Sequence, residues 1–342
     1  MSMNIQDALR LIQAGGELSA DNTESVFGEI MQGDATPAQI GALLMGLSIR
    51  GETPAIVAGA ARAMRTAATH IHPRATGLLD TCGTGGDGAS TFNISTTVAL
   101  VVAAAGVPVA KHGNRAISSK SGSADVLEAL GVHLDIAPDA VADCIDEAGI
   151  GFLFAPAHHP AMKHAAGPRR ELGIRSIFNL LGPLTNPANA EYQVLGVYAK
   201  NKLMLVAGAL QQLGIKRALV VHGRDGLDEI TTTTLTDAIW VEQDSPLCEF
   251  EIDPEAFGMP YAKTADLAGG DAETNAAIIC EILGGKKGSA RDIVLLNTAA
   301  ALWVAGKADS IAAGLRTAAN AIDSGRAKEV LQALTEFTGK AS

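Results

Sequence analysis

The sequence predicts an α/β protein with a small all-helical part followed by a larger part built on a mostly parallel central sheet. The first 70 residues show only helical patterns, whereas strand-like and Ala-rich helical stretches alternate from Leu78 onward. Such alternation is typical of parallel strands joined by helices. Hydrophobic residues make up 47% of the chain but aromatic residues only 4%, which favours cores of closely packed small side chains.

The helical part, residues 1–70, is predicted to contain four short helices. An apolar stripe indicates the first, a capping side chain begins the second, and a Thr-Pro pair opens each of the last two. These signals are Ile5, Leu9 and Ile12; Ser19 or Asp21; Thr36-Pro37; and Thr53-Pro54. The apolar stripe fits either an internal core or a dimer face.

The second part, residues 71–342, begins with a linker over 71–77 and is predicted to contain seven strands. They fall at 78–81, 107–110, 132–135, 151–154, 193–198, 217–222 and 293–296, with helices such as 96–105, 124–130 and 139–148 between them. The segment 160–190 is rich in Pro, Gly and Arg, and we predict that it leaves the sheet and partly returns to the helical domain. The Thr run in 228–241 predicts a hairpin-like excursion.

Charge and cysteine usage argue against several classes of function. A formal net charge of −11 does not suit a nucleic-acid binder, which needs a basic surface. The longest apolar run, Val98–Ala110, is interrupted by Gly106 and Pro108 and is too short to span a membrane. The four cysteines form no disulfide or zinc pattern, and they predict reduced thiols in a cytoplasmic protein: Cys82, Cys144, Cys248 and Cys280.

A glycine-rich loop after the first predicted strand is the leading candidate for a ligand site. Its glycines let backbone amides approach a phosphate closely, and they are Gly83, Gly85, Gly86 and Gly88. The spacing also satisfies the dinucleotide fingerprint, which requires an acidic residue near the end of the next strand. That strand ends instead in Lys111-His112. A basic strand end favours phosphate over ribose hydroxyls, although an NADP site would tolerate it.

The two connections that follow carry similar polar residues. Asn93, Ser95 and Thr96 fall where a helix begins, a place that favours anions, although Ser95 alone could be a simple N-cap. The next strand end continues through Asn114 into a hydroxyl-rich SSKSGS loop, which is a flexible flap or merely a solvated loop. Three consecutive connections suited to phosphate favour a phosphate ligand. Because the chain is acidic, we expect a divalent cation to supply positive charge.

These motifs together resemble the anthranilate phosphoribosyltransferase family of tryptophan biosynthesis, which has a nucleoside phosphorylase-like fold. The resemblance covers nearly the whole chain and is carried by CGTGGDG, TFNIST, AKHGNR, SGSADVLEALG, PRRELGIR, IFNLLGPLTNP and VVHGRDGLDEITTT. It implies a small helical domain hinged to a larger α/β domain, an active site in the cleft, and a homodimer formed through the helical domains. The reaction it implies is transfer of phosphoribosyl from phosphoribosyl pyrophosphate (PRPP) to the amine of anthranilate.

The resemblance also implies roles for individual residues. PRPP would contact Gly83, Gly86, Asp87, Thr91, Asn93, Ser95, Thr96, Lys111, Ser119 and Ser123. Two Mg²⁺ ions are expected, one touching Ser95 and one held by Asp228 and Glu229, whose oxygens are hard ligands. Anthranilate would contact Gly83, His112, Asn114 and Arg169, the last through its carboxylate, because a guanidinium binds that group as a fork.

The motifs contain no nucleophile-base pair, so we predict direct displacement without a covalent intermediate. Met162 stands where some relatives have Tyr, and no role is assigned to His158 or His159. Two alternatives stay open at this level. One is a related phosphoribosyltransferase or nucleoside phosphorylase with another acceptor, and the other is a non-catalytic homologue with a binding or regulatory role.

Overall fold

The computed structural model describes residues 3–116 and 120–342, and it begins with four helices. Their starts confirm the predicted capping signals, because Ser19, Thr36 and Thr53 each accept a hydrogen bond from a first-turn amide. Thr36 also forms a capping box with Gln39, which satisfies two amides at once. The helices are α1 (Ile5–Gln13), α2 (Ala20–Gln32), α3 (Pro37–Arg50) and α4 (Pro54–Thr66).

A seven-stranded sheet forms the centre of the remaining chain. Its strands are β1 (Leu79–Gly83), β2 (Val109–Gly113), β3 (Ile150–Phe154), β4 (Tyr192–Gly196), β5 (Arg217–Gly223), β6 (Thr236–Glu242) and β7 (Cys248–Ile252). They lie in the order β3-β2-β1-β4-β5-β6-β7. The first five in this order are parallel, and β6 and β7 extend the sheet antiparallel. The predicted fold class is therefore confirmed.

Eleven further α-helices occur in the described part of the chain after β1. They are α5 (Ile94–Ala104), α6 (Ser123–Ala129), α7 (Pro138–Ala148), α8 (Ala155–His158), α9 (Lys163–Leu172), α10 (Phe178–Leu181), α11 (Leu203–Gln212), α12 (Ala272–Leu283), α13 (Ser289–Val304), α14 (Ile311–Asp323) and α15 (Arg326–Ala341). Short 3₁₀ turns lie at Pro160–Met162, Gly182–Leu184, Lys200–Lys202, Pro254–Phe257 and Thr264–Leu267. None of the helices in the described ranges is both long and apolar enough to cross a membrane.

Two predicted strands were wrong. Residues 132–135 pair with none of the described strands, and the His133 amide donates instead to the Thr338 hydroxyl of α15, at 3.2 Å. Residues 293–296 lie inside the 16-residue α13, because a short apolar run does not distinguish a strand from a buried helix. The predicted excursion over 228–241 contains β6, which belongs to the main sheet and pairs with β5.

The apolar core is divided by the sheet. One large cluster lies around α5, α13 and the C-terminal helices. A small one packs α7 against β2 and β3, and a second large one joins the four-helix bundle to α11 and to the opposite side of β4, β5 and β6. Within it α4 packs on α2 and α11, and α9 packs on α2 and α3. The helical bundle is therefore packed directly beside the edge of the sheet where the parallel strands end.

Candidate active site

The carboxyl ends of β1, β4 and β5 meet beneath the segment that carries Asp228 and Glu229. An added Cβ atom at Gly83, the last residue of β1, would lie 2.2 Å from Asp228 Oδ2. One at Gly196, the last residue of β4, would lie 1.6 Å from the Asp228 carbonyl oxygen. Both distances are far below van der Waals contact, so only glycine at these strand ends lets Asp228 occupy its position.

Each of the two carboxylates accepts a hydrogen bond from a main-chain amide of the predicted phosphate region. Asp228 Oδ2 accepts from the Gly85 amide at 2.7 Å, and Glu229 Oε1 accepts from the Ser95 amide at 3.1 Å. Asn93, not Ser95, is the N-cap of α5, and its side chain makes no capping bond to the described first turn. Glu229 therefore supplies the anion that the first turn of a helix favours.

The site concentrates negative charge where little water remains. Desolvation raises the pKa of Asp228 to about 7, with a further contribution from the charge of Asp87. Desolvation also raises the pKa of Glu229 to about 8, with Asp228 adding to the shift and Lys111 opposing it. Lys111 is itself buried, and its Nζ donates to the Thr81 carbonyl at 2.6 Å. A cation beside these carboxylates would relieve the repulsion.

The oxygen donors at this site fit a hard divalent cation that is bound jointly by the protein and by a second molecule. Carboxylate oxygens and the nearby Ser95 hydroxyl are the ligand types that Mg²⁺ prefers. Within residues 3–116 and 120–342, no group of three or more His, Cys, Asp and Glu side chains is arranged to hold a metal ion. Mg²⁺ is commonly bound by one or two carboxylates together with substrate phosphates, and Asp228 and Glu229 fit that mode.

The other predicted phosphate residues surround this point, with different degrees of accessibility. The Arg175 guanidinium donates to the Gly86 carbonyl at 2.6 Å, and the Asp87 carboxylate accepts from the Ala89 amide. Thr91 forms an isolated bridge with Ala268, and Thr96 is buried. Ser123 bonds the Asn114 carbonyl at 3.3 Å, and Ser119 lies outside the described residues.

Asn93 belongs to a network that the sequence analysis missed. Its Oδ1 accepts from Asn275 Nδ2 at 2.9 Å, and its Nδ2 donates to the Ser121 carbonyl at 3.3 Å. Asn275 is a buried residue of α12, and its Oδ1 accepts from the Gly270 amide at 2.7 Å. Asn275 follows Glu273 and Thr274 in the polar first turn of the helix AETNAAIICEIL, so no local sequence signal marked it as a buried amide that needs partners.

A cavity of about 510 Å³ opens between the sheet edge and the helical bundle. It is next to the carboxylate site, since Gly83 lines it as well as touching Asp228. Its wall combines residues from both parts of the chain: Met64 of α4, His112 of β2, Asn114 just after β2, His159, Met162, and Arg169 of α9. All four residues predicted to contact anthranilate thus line one cavity.

Two neutral histidines form part of the cavity wall. Burial lowers the pKa of His112 to about 3 and that of His159 to about 4, and the ring centroids lie 5.1 Å apart. His112 Nδ1 lies 3.1 Å from the Gly182 carbonyl oxygen, which can only accept, so Nδ1 carries the proton and Nε2 is an acceptor. In the described part of the chain neither buried Nε2 atom has a hydrogen-bond partner.

Arg169 differs from its two neighbouring arginines. Its guanidinium lies 4.9 Å over the Phe178 ring, and burial lowers its pKa. No carboxylate among the described residues forms an ion pair with it. Arg170 is exposed, and Arg175 stacks 4.4 Å over Tyr198. Of the three, only Arg169 lines the cavity.

Sequence profiles of two glycosyl transferase domains match the chain. The helical bundle domain of the glycosyl transferase family matches residues 6–68, and the a/b domain of that family matches residues 75–328. Together with the fold, these matches define the class as a glycosyl transferase with a helical bundle and an α/β domain.

Relatives of known activity narrow the class. Anthranilate phosphoribosyltransferase from Acetivibrio thermocellus is 53% identical over 98% of this chain and 96% of its own. The crystal structure of the Thermus thermophilus enzyme of that name matches with a TM-score of 0.92 and 44% identity, covering 97% of this chain and 99% of that one. The chain belongs to the anthranilate phosphoribosyltransferase family and is a glycosyltransferase of tryptophan biosynthesis, as its motifs predicted.

Solved complexes of a more distant relative show what that protein binds. The Saccharomyces cerevisiae anthranilate phosphoribosyltransferase in complex with PRPP and Mg matches with a TM-score of 0.89 and 26% identity, covering 98% of both chains. The same yeast enzyme in complex with 4-fluoroanthranilate matches with a TM-score of 0.88 and 25% identity, again covering 98% of both chains.

Proposed function

We propose that this chain transfers the 5-phosphoribosyl group of PRPP to the amine of anthranilate, with release of pyrophosphate and formation of N-(5-phosphoribosyl)anthranilate. The observation that carries the proposal is that two different half-sites are adjacent and share Gly83. Asp228 and Glu229 lie over the glycine strand ends, and the cavity beside them contains Arg169. One half suits a metal-bound pyrophosphate, and the other suits an aromatic carboxylate.

The metal-binding half would use Asp228, Glu229 and the Ser95 hydroxyl, and we propose two Mg²⁺ ions per site. Bound Mg²⁺ neutralises phosphate oxygens and favours departure of pyrophosphate. The yeast relative was solved with PRPP and Mg, which supports this proposal. The chain itself would contribute the glycine-rich loop and the α5 N-terminus, places that favour an anion. In the structure the Gly85 and Ser95 amides there donate to Asp228 and Glu229.

The acceptor half would hold anthranilate by its carboxylate. A guanidinium that lacks an ion pair within the described chain and is stacked on Phe178 is oriented for a bidentate contact. His112 and His159 remain neutral near pH 7, so they add no positive charge that would repel a positively polarised ribosyl carbon.

The chemistry would be a direct displacement at C1 of the ribose, without a covalent enzyme intermediate. An arylamine is largely unprotonated at neutral pH, so its lone pair attacks without prior removal of a proton. The cavity thiol does not suit a nucleophilic role, because burial raises the pKa of Cys82 well above its ordinary value. Its Sγ accepts from Gln193 Nε2 at 3.3 Å. Rate enhancement would come from positioning and from stabilisation of the leaving pyrophosphate.

We further propose that the chain divides into a helical domain, residues 1–70 with part of 160–190, and an α/β domain, residues 71–342, and that the two close around the substrates. The packing of α9 on α2 and α3 supports assigning α9 to the helical side. Arg169 of α9 would then approach PRPP from that side when the cleft closes. The family assignment favours action in the cytoplasm.

A homodimer through the helical domain is also proposed. Met45 and Ile49 of α3 and Met204 of α11 are exposed large hydrophobic side chains, Ile49 at 76%. Lys202 Nζ lies 3.1 Å from Glu52 Oε2, which links the beginning of α11 to the end of α3. An exposed apolar surface of this kind is typical of an association face. Sedimentation of Ile49→Glu should show monomers where the parent chain shows dimers.

The proposed reaction is tested by mixing the purified protein with Mg²⁺, PRPP and anthranilate and recording anthranilate fluorescence. We expect a loss of fluorescence that requires all three components. A folded protein that causes no loss would contradict the proposal, and a screen of other amine and nucleobase acceptors with PRPP would then test the related transferase activities.

A further inference from the structure

We propose that Asn297, a buried residue of α13, is a positioning residue for the metal-binding pair Asp228 and Glu229. This inference rests on the proposed function of that pair. Asn297 does not line the cavity, and the motifs that identify the family do not include it. Its side chain is instead bonded to Ile230, the residue immediately after the pair.

The Asn297 side chain forms two hydrogen bonds with the main chain of Ile230, one as acceptor and one as donor. The Ile230 amide donates to Asn297 Oδ1 at 3.0 Å, and Asn297 Nδ2 donates to the Ile230 carbonyl at 2.7 Å. The second Nδ2 hydrogen bonds the Ile293 carbonyl, one helical turn earlier, at 2.9 Å. Reversing the amide would place its oxygen against two carbonyl oxygens, so these contacts determine which way it faces.

These two hydrogen bonds replace those that a neighbouring strand would otherwise form with the main chain of Ile230. Ile230 is fully buried, yet it lies between β5 and β6 and outside both ladders. A buried main-chain amide and carbonyl without partners would be costly. Asn297 satisfies both groups, and the next amide, that of Thr231, donates to the Thr236 hydroxyl at 3.0 Å. Side chains therefore determine the path of this segment.

The geometry gives Asn297 control over the orientation of Glu229. The Ile230 amide belongs to the peptide group that links Glu229 to Ile230, and the Ile230 carbonyl belongs to the next peptide group. The two hydrogen bonds of Asn297 to Ile230 fix the peptide planes on either side of the Ile230 Cα, and the first of these planes contains the carbonyl group of Glu229, next to the carbon from which the Glu229 side chain originates. Outer partners of this kind hold metal ligands in place, and their removal typically costs about 10- to 100-fold in metal affinity.

The test is a Mg²⁺ titration of steady-state turnover for Asn297→Leu, which has a similar volume but forms none of the three bonds. We expect half-saturating Mg²⁺ to rise about 10-fold or more, with a change of less than about 2-fold in the anthranilate KM, because the acceptor cavity is not touched. Leu302→Ala is the matched control. It removes a buried apolar side chain of the same helix, so it should destabilise the fold while keeping the side chain that bonds Ile230.

Asn297→Asp is measured in parallel, because it keeps the size of the side chain and the acceptor for the Ile230 amide. Burial should keep its carboxyl group protonated, so that it still donates one hydrogen bond, to the Ile293 carbonyl. It loses the donor to the Ile230 carbonyl, so a smaller rise in half-saturating Mg²⁺ is expected, about 3-fold. Faster hydrogen exchange of the Ile230 amide in Asn297→Leu, but not in Leu302→Ala, is the structural readout.

The inference is overturned if both Asn297 variants leave half-saturating Mg²⁺ at the parent value, or if Leu302→Ala raises it equally. Failure of the underlying proposal gives a different result. In that case the parent chain itself turns over without Mg²⁺, or Glu229→Ala shows the parent Mg²⁺ dependence while Asn297→Leu does not.

Discussion

The two halves of the proposed active site are built in opposite ways. The metal-binding half holds charge, with Asp228 and Glu229 fixed by main-chain amides and by strand ends that tolerate only glycine. The acceptor half avoids charge, with two histidines kept neutral by burial and one guanidinium, that of Arg169, which forms no ion pair within the described chain. A divalent cation and an aromatic carboxylate would satisfy these two environments, and neither ligand would suit the other half.

The largest expected effect comes from filling the space beneath Asp228. In Gly196→Ala the new methyl group would meet the Asp228 carbonyl at 1.6 Å, so the segment must move by more than an ångström. Misplacement on that scale costs about 100-fold or more in turnover. Anthranilate binding should persist, measured by quenching of its fluorescence. Gly28→Ala, at a helical glycine with open space around it, should keep full activity.

Removing the guanidinium of the acceptor half should have the next largest effect. Arg169→Ala is expected to raise the anthranilate KM roughly 100-fold, because a charge-assisted pair in a partly buried site contributes about 2–5 kcal/mol. Half-saturating Mg²⁺ should stay within about 2-fold of the parent value. The exposed neighbour Arg170 provides the control, and Arg170→Ala should leave both quantities unchanged. An effect of Arg169→Ala on PRPP alone would contradict the division between the halves.

A smaller effect is expected from the ring beneath Arg169. Phe178 contacts Phe27 of the helical bundle, with ring centroids 5.7 Å apart, so the bundle supports the stack. Phe178→Leu should raise the anthranilate KM about 5-fold, because a cation–π contact contributes about 1 kcal/mol. Phe178→Tyr keeps the aromatic face and should stay near the parent value. Equal losses in the two variants would show that volume, not the aromatic face, matters.

The contributions of the two halves to the stability of the fold should also change with pH in opposite directions. The folded-state pKa of Glu229, about 8, lies above the ordinary value, so this carboxyl destabilises the metal-free fold increasingly as pH rises from about 5 to 8. The folded-state pKa of His159, about 4, lies below the ordinary value, so stability is lost as pH falls from about 6.5 toward 4.

Melting temperatures without Mg²⁺ test these signs. Glu229→Gln should gain about 2 to 4 °C over the parent chain at pH 8 and little at pH 5. The relative gain of His159→Gln should be larger at pH 5 than at pH 8. Glu281→Gln, which alters an exposed surface pair with Lys286, is the control and should show neither trend. If the gains in melting temperature of Glu229→Gln and His159→Gln both increased with pH, or both decreased, the proposed difference between the halves would be contradicted.

Most of the fold was predictable because its signals are local. Thr36-Pro37 and Thr53-Pro54 marked helix starts that the structure confirms, and the five parallel strands fell at predicted positions. The strand predicted at 293–296 was wrong because the apolar run IVLL suits a buried strand and a buried helix equally well. The charged β7, CEFEI, was missed because only one of its five residues is buried, so it lacks an apolar run.

The site was predictable only as a set of loops. The motifs brought Asp228, Ser95 and Arg169 into consideration, but the contact between Asp228 and Gly196 depends on strand order, which the sequence does not display. Asn297 and Asn275 act across 67 and 182 residues of chain. No local pattern distinguishes them from asparagines that bond to nearby backbone. The neutrality of His112 follows from burial, which also emerges only when the chain is folded.

The most direct test of a separate metal-binding half and acceptor half is a Mg²⁺ titration of Glu229→Ala at saturating PRPP, with the anthranilate KM determined on the same preparation. If the two halves are separate, half-saturating Mg²⁺ rises at least about 10-fold and the anthranilate KM stays within about 2-fold of the parent value. Unchanged Mg²⁺ dependence, or a shift confined to the anthranilate KM, would contradict this separation.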